Sequence, residues 1–271
     1  MFYLLLVFFG CMTGVTTVLF GFGGGFVVVP LLYRMLTASH GADDPIGQSA
    51  MQIAVATSTC VMIVNALVAT GKHHRAGNLI RHYLWPLGGF IGLGAMVGAV
   101  AAMRVSGDMI RCAFIAYLGV TIADCLFRRG FLTASDTAIP RRLGRVEASC
   151  GGVGIGAIAT FLGVGGSVMT VPMLRRCGLS MSQATSMANP LSLPVAVAGT
   201  LTYMTMARFT EFDLGMWFIG YVDLLAFAVL TMGSVVGIRL ATPWIGRIPD
   251  QLHARVYIGL LVSVMMSLCL S

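Results

Sequence analysis

The chain has 271 residues, of which 57% are hydrophobic and 10% charged, with 17 Lys or Arg against 10 Asp or Glu. A soluble domain carries about a quarter charged residues, so a soluble enzyme, a disordered chain and a nucleic-acid binder are excluded. The net charge of +7 is spread singly or in pairs between long apolar runs, as in short loops that flank membrane spans.

Eight apolar blocks follow one another: Phe2 to Leu36, Ile46 to Thr70, His82 to Met103, Asp108 to Phe127, Val146 to Leu174, Ser182 to Ala207, Val222 to Ala241 and Leu252 to Leu270. At roughly 20 residues per span they use up the chain and leave no stretch for a soluble domain. Met1-Phe2-Tyr3-Leu4 holds no Lys or Arg; a signal peptide opens with a basic region, so the first block is expected to be a retained span. Cys11, Cys60, Cys112, Cys125, Cys150, Cys177 and Cys269 form no CxxC pair and are read as small apolar packing residues. Eighteen scattered Met residues are read the same way, and no metal site or cofactor is expected.

The first block is 35 residues long, about 52 Å as one helix, against a hydrocarbon core of roughly 30 Å. Its middle, Gly21-Phe22-Gly23-Gly24-Gly25, is a poor helix interior because each Gly costs about 1 kcal/mol relative to Ala. The block is therefore either one broken, tilted helix or a hairpin of two half-helices. The motif recurs: Phe20 to Leu32 matches Leu162 to Leu174 as G-x-G-G-small-x-x-x-V-P-x-L, an offset of 142 positions. Gly77 with Gly220, Arg111 with Arg255 and Ala54 with Ala184 extend the match. This predicts a first repeat over residues 1–127, a basic cytoplasmic linker over 128–145 and a second repeat over 146–271.

Charge counting favours the hairpin. With each first block returning to its own side, Arg34, Arg104, Arg111 and Arg208 face one side and the other thirteen Lys and Arg face the other, a normal positive-inside bias. If every block crosses, the split is nine to eight. The hairpin model leaves three crossings per repeat, so the halves are inverted. The predicted fold is thus an all-α integral membrane protein of two inverted repeats, each a Gly-rich broken-helix hairpin plus three transmembrane helices. Both termini are expected outside the cytoplasm.

Inverted repeats with interrupted helices at matching positions are a transporter pattern. The second half-helices begin at about Gly25 and Ser167, where the first N–H groups lack intrahelical partners and carry the positive end of a dipole. Two such ends facing one cavity would hold a small anion without a buried Lys or Arg. The candidate substrate-binding residues are Gly23, Gly24, Gly25, Gly165, Gly166 and Ser167. Gln52, Thr57, Ser58, Asn65 and Asn189 are the amides and hydroxyls that would complete the shell; the alternative is that they bond back to their own helices. The glycines could instead serve close helix crossing, the reading given to Gly88, Gly92, Gly94 and Gly98. Asn189-Pro190 suggests a further helix break, and Pro30 and Pro172 a kink. His73 and His74 are either an interfacial basic anchor or proton acceptors in a coupled cycle. Asp223 is expected to cap a helix, and Asp124 to pair with Arg128.

The paired Gly and Pro motifs, Ala-x-Ala-Thr-Ser at Ala54 to Ser58, His74-Arg75-Ala76-Gly77-Asn78, Pro194 to Tyr203 and Gly220-Tyr221-Val222-Asp223 resemble the TauE/SafE family of sulfite and organosulfonate exporters over nearly the whole chain. The resemblance implies a multi-pass permease of the bacterial inner membrane that exports sulfite, sulfoacetate or related organosulfonates. Ser186-Met187-Ala188 departs from the Ala-Thr-Ser expected in the second half and implies that the halves are functionally unequal. The alternative is a permease for a transition-metal ion, a carboxylate or another inorganic anion. An intramembrane hydrolase using Ser58 or Ser167 would need a His at the same depth, but all five His lie near span ends. The expected partners are a small anion and membrane lipid, with a homodimer left open. No Walker loop is present, so ATP is not the direct energy source.

Overall fold

The computed structural model describes residues 2–41, 44–127, 131, 141, 143–206 and 215–270. It is all-α apart from one two-residue strand pair. In chain order the helices are α1 (Phe2–Phe20), α2 (Gly25–Ser39), α3 (Pro45–Gln48), α4 (Ala50–Arg75), α5 (Arg81–Leu84), α6 (Leu87–Ala102), α7 (Gly107–Phe127), α8 (Arg145–Phe161), α9 (Ser167–Arg176), α10 (Met181–Met206), α11 (Leu224–Ala241) and α12 (Asp250–Cys269). The strands β1 (Phe218–Ile219) and β2 (Val222–Asp223) pair antiparallel just before α11. Most of the 128–145 linker lies outside the described residues.

Each long first block is broken at its glycines. α1 stops at Phe20 because Gly21, Gly23 and Gly24 take φ of 75°, 67° and 110°, a region that only Gly enters cheaply. Gly163, at φ 68°, ends the α8 segment in the same way. The second helices start at Gly25 and Ser167, where the sequence places them. Asp223 caps α11, its Oδ1 accepting from Leu225 N at 2.9 Å and Ala226 N at 3.0 Å.

The Asn189-Pro190 break does not occur. α10 runs unbroken through Pro190 and Pro194. A packed membrane bundle tolerates proline within a helix, because neighbouring groups can re-satisfy the backbone it frees. Asp124, expected to pair with Arg128, pairs with Arg176 of α9. Arg128 itself lies outside the described residues.

Among the described residues, five helical stretches are long and apolar enough to cross a membrane: Ala50–Arg75, His82–Ala102, Gly107–Phe127, Leu224–Trp244 and Asp250–Cys269. Two helix pairs bind the halves of the chain together through glycine. On α1, a Cβ at Gly10 would stand 2.6 Å from Leu230 O, and one at Gly14 2.0 Å from Ser234 O. On α8, a Cβ at Gly152 would stand 3.2 Å from Leu87 O, and one at Gly156 1.9 Å from Ile91 O. Residue numbers rise together along each interface, so α1 runs parallel to α11 and α8 parallel to α6. The α6 glycines divide their work. Gly94 and Gly98 press on the α8 backbone at Val153 and Ala157, whereas Gly88 and Gly92 meet Leu191 and Pro194 of α10 at ordinary distances.

Overpacking a full core costs about 1–3 kcal/mol. Gly156→Leu should therefore lower the melting temperature in detergent by several degrees and reduce the monodisperse fraction. Gly154→Leu, on the open side of the same helix, should leave both unchanged.

Candidate functional site

The two glycine breaks meet. A Cβ on Gly25 would stand 2.1 Å from Gly163 O, and one on Gly165 3.1 Å from Phe22 O. Nothing larger than hydrogen fits between them, and every residue from Gly21 to Phe26 and from Gly163 to Val168 is buried. α4 and α10 flank the contact. Met62 Sδ lies 2.9 Å from the Cβ position of Gly23 and 3.1 Å from that of Gly165, and Ser192 Oγ lies 3.0 Å from the latter. Ser58 Oγ donates to Gly163 O at 2.9 Å and also reaches Val55 O of its own helix at 2.7 Å.

The electrostatics come from the backbone. Val27 and Val28 N–H both bond to Gly24 O, and Met169 and Thr170 N–H both bond to Gly166 O. The N–H groups of Gly25 and Phe26, and of Ser167 and Val168, precede these bonds and form the orphan first turns of α2 and α9. Arg175, a buried cation on α9, is directed elsewhere, to Asp250, to Leu179 O at 3.2 Å and to Phe131 O at 3.0 Å. One side chain adds a donor. Asn65 is fully buried, and its Oδ1 accepts from Ser234 Oγ. That bond fixes the amide so that Nδ2 lies 2.6 Å from the Cβ position of Gly24, where Nδ2 has no partner among the described residues.

The structure thus brings together Gly23, Gly24, Gly25, Ser58, Asn65, Gly165, Gly166 and Ser167. It holds three other candidates apart from this contact. Gln52 Nε2 reaches Val105 O at 3.5 Å. Thr57 Oγ1 accepts from Asp223 N at 3.0 Å. Asn189 Nδ2 is spent on its own helix, while its Oδ1 is buried without a partner. Ser192 is one of the small polar residues that the sequence offers for the shell, whereas Met62, Ser234 and Thr13, whose Cγ2 lies 3.2 Å from the Cβ position of Gly24, escape notice as site residues. Their place depends on how helices cross, and no motif marks it. His74 is exposed, but His73 is only 2% exposed, which excludes it as an interfacial anchor. Its partner Ser is Ser186, at 2.9 Å, and neither Ser58 nor Ser167 has a His partner. Among the described residues no three His, Cys, Asp or Glu side chains are grouped to hold a metal ion.

A cavity of about 830 Å³ lies beside the second break between α6, α7, α8 and α9. Its walls are almost wholly apolar, among them Val97, Val120, Phe161 and Met169, and only Tyr117, Thr121 and the Asp124–Arg176 pair add polar groups. It has the character of a lipid-facing gap, and the cation in its wall, Arg176, is paired with Asp124.

No solved structure matches the chain. A protein of Haemophilus influenzae named "Probable membrane transporter protein" is 23% identical over 206 residues, covering 75% of this chain and 74% of its own length. A protein of Methanocaldococcus jannaschii with the same descriptive name is 22% identical over 268 residues, covering 96% and 92% respectively. The family model for the sulfite exporter TauE/SafE matches residues 6–268. With its apolar helices, its broken first blocks and a match over almost its whole length, the chain belongs to the sulfite exporter TauE/SafE family of integral membrane transporters.

Proposed function

We propose that the chain is a secondary transporter of small sulfur-containing anions, sulfite or an organosulfonate such as sulfoacetate, working outward across a bacterial inner membrane with both termini outside the cytoplasm. The observation that carries this reading is the meeting of two orphan helix N-termini beside the unpartnered, buried Asn65 Nδ2. N–H donors and a positive dipole end suit an oxyanion, and an amide donor adds direction. A carbonyl oxygen, that of Gly163, already lies against Gly25, so the end of α2 accommodates an oxygen. The family supplies the sulfur chemistry and the direction of flux.

The contact is closed, so binding requires the breaks to part. The helix pairings support an inverted-repeat mechanism for that movement. Gly10 and Gly14 on α1 stand to Leu230, Ser234 and Ile238 of α11 as Gly152 and Gly156 on α8 stand to Leu87, Ile91 and Ala95 of α6. The offset is 142 on one side and 143 on the other, the same as in the sequence repeat. One half rocking against the other would open the contact to each side in turn.

A ligand that binds only the folded state stabilises it by about 2.7 kcal/mol at a hundred times its Kd. Sulfite or sulfoacetate should therefore raise the melting temperature of the purified protein more than taurine, sulfate or chloride. Stabilisation by a metal ion, with none by any anion, overturns the reading. Asn65→Ala removes the donor without adding volume, and it should keep the wild-type melting profile to within about 3 kcal/mol while weakening the anion-induced shift. Gly25→Ala pushes a methyl onto Gly163 O and should abolish transport in liposomes, while Gly71→Ala, with open space around it, should not.

A further inference from the structure

The end of α1 is gripped by two histidines. His73 Nε2 lies 2.9 Å from Val18 O, and His253 Nε2 lies 2.8 Å from Leu19 O. These carbonyls belong to the last turn of α1, just before the glycine break, where carbonyls lack helical partners and carry the negative end of the dipole. The second half holds the matching point differently. Tyr203 Oη donates to Thr160 O at 3.2 Å; Thr160 corresponds to Val18 at the 142 offset, and Tyr203 to His73 at the offset of 130 that relates Ala54 to Ala184. One half therefore uses an imidazole, which can take up a proton, where the other uses a phenol, which cannot.

Proton counting around His73 separates two states. Val18 O can only accept, so Nε2 carries a hydrogen. Ser186 Oγ lies 2.9 Å from His73 Nδ1 and 2.5 Å from Ser182 O, and a hydroxyl has one hydrogen. With a neutral ring, that hydrogen goes to Nδ1, and Ser182 O keeps Thr185 Oγ1 at 3.2 Å. With a charged ring, Nδ1–H donates to Ser186, Ser186 donates to Ser182 O, and every contact is satisfied while the cation faces the negative end of α1. In the closed arrangement a protonated ring faces an acceptor and the negative end of α1, and parting α1 from α4 takes both away. Different contacts in two conformations mean different affinities for the same ligand.

The surroundings allow the proton to arrive and leave. From α12, His253 faces His73, with Asp250 and Arg175 next to His253. From α10 come only the hydroxyls of Ser182, Thr185 and Ser186, and from α1 only Val18 and Leu19. Lys72, His74 and Arg75 continue α4 to its exposed end. A gap of about 10 Å³ joins both histidines to Trp244, Ile245, Gly246 and Ile248, close to the space one water needs. We infer that His73 binds the coupling proton of the transport cycle and that Ser186 relays its presence to α10. The inference rests on the anion-transport reading above and names its coupling ion.

The test uses purified protein in liposomes, with sulfoacetate as the probe, a pH dye inside, and two readings: sulfoacetate exchange and proton movement driven by a sulfoacetate gradient. His73→Tyr copies the bond that Tyr203 makes in the other half and so keeps the fold; His73→Gln is the second neutral variant. Wild type should move protons with sulfoacetate. Both variants should keep exchange within about threefold and lose at least nine-tenths of the coupled proton movement. Exchange without proton movement in wild type, or proton movement retained in either variant, overturns the inference and leaves the anion reading standing. Absence of sulfoacetate exchange in wild type removes the anion reading and this inference with it.

Discussion

A helix that ends inside a hydrocarbon layer leaves N–H and C=O groups that lipid cannot satisfy, at several kcal/mol each. This chain ends a helix inside its bundle twice, after Phe20 and after Phe161, and much of the remaining structure answers that demand. The last carbonyls of α1 are taken by His73 and His253, and the corresponding Thr160 O by Tyr203. Ser58 takes Gly163 O. What stays unanswered is the opposite set, the first N–H groups of α2 and α9 with Asn65 Nδ2 beside them. The bundle thus spends polar side chains on the negative ends of the broken helices and, among the described residues, leaves the first N–H groups of α2 and α9 without side-chain partners.

The two breaks reach each other because the helices that carry them are pulled close. Lipid supplies no hydrophobic drive between helices, so close packing and small residues must hold them. Gly10 and Gly14 on α1, and Gly152 and Gly156 on α8, bring backbone against backbone across the halves of the chain. These pairings cross between the repeats, so the fold cannot be divided into two separately packed domains. The glycine-rich composition that first reads as poor helix-forming material is what lets the centre close.

The repeat, the helix starts at Gly25 and Ser167 and the Asp223 cap are legible in the sequence because each has a local cause: a left-handed glycine, a helix N-terminus, an Asx side chain facing its own first turn. Pro190 misleads for the same reason, since a local rule for proline is overridden where the helix is packed inside the bundle and α10 runs through it. Asn65 is readable as polar and buried, but only the structure shows Ser234 orienting its amide. Met62 is invisible as a site residue, because it earns its place solely by standing where two chain breaks cross. His73 is too buried to be the interfacial anchor that its sequence neighbours suggest, because helix packing and not sequence position sets its depth.

Met62 has a further consequence. On the inverted reading, two identical halves would make the inward-open and outward-open states equal in energy, and the protein would rest half in each. Only positions where the halves differ can tilt that balance. Met62 stands against Ser192, Asn65 against Val195 and Gly25 against Ser167, all within the central contact. A single hydrogen bond made in one state and missing in the other is worth about 1 kcal/mol, and 1.4 kcal/mol is a tenfold change in population. On that reading, side chains at the centre that the halves do not share would set the balance between the two states, and exchanging them between the halves would shift it without touching a loop.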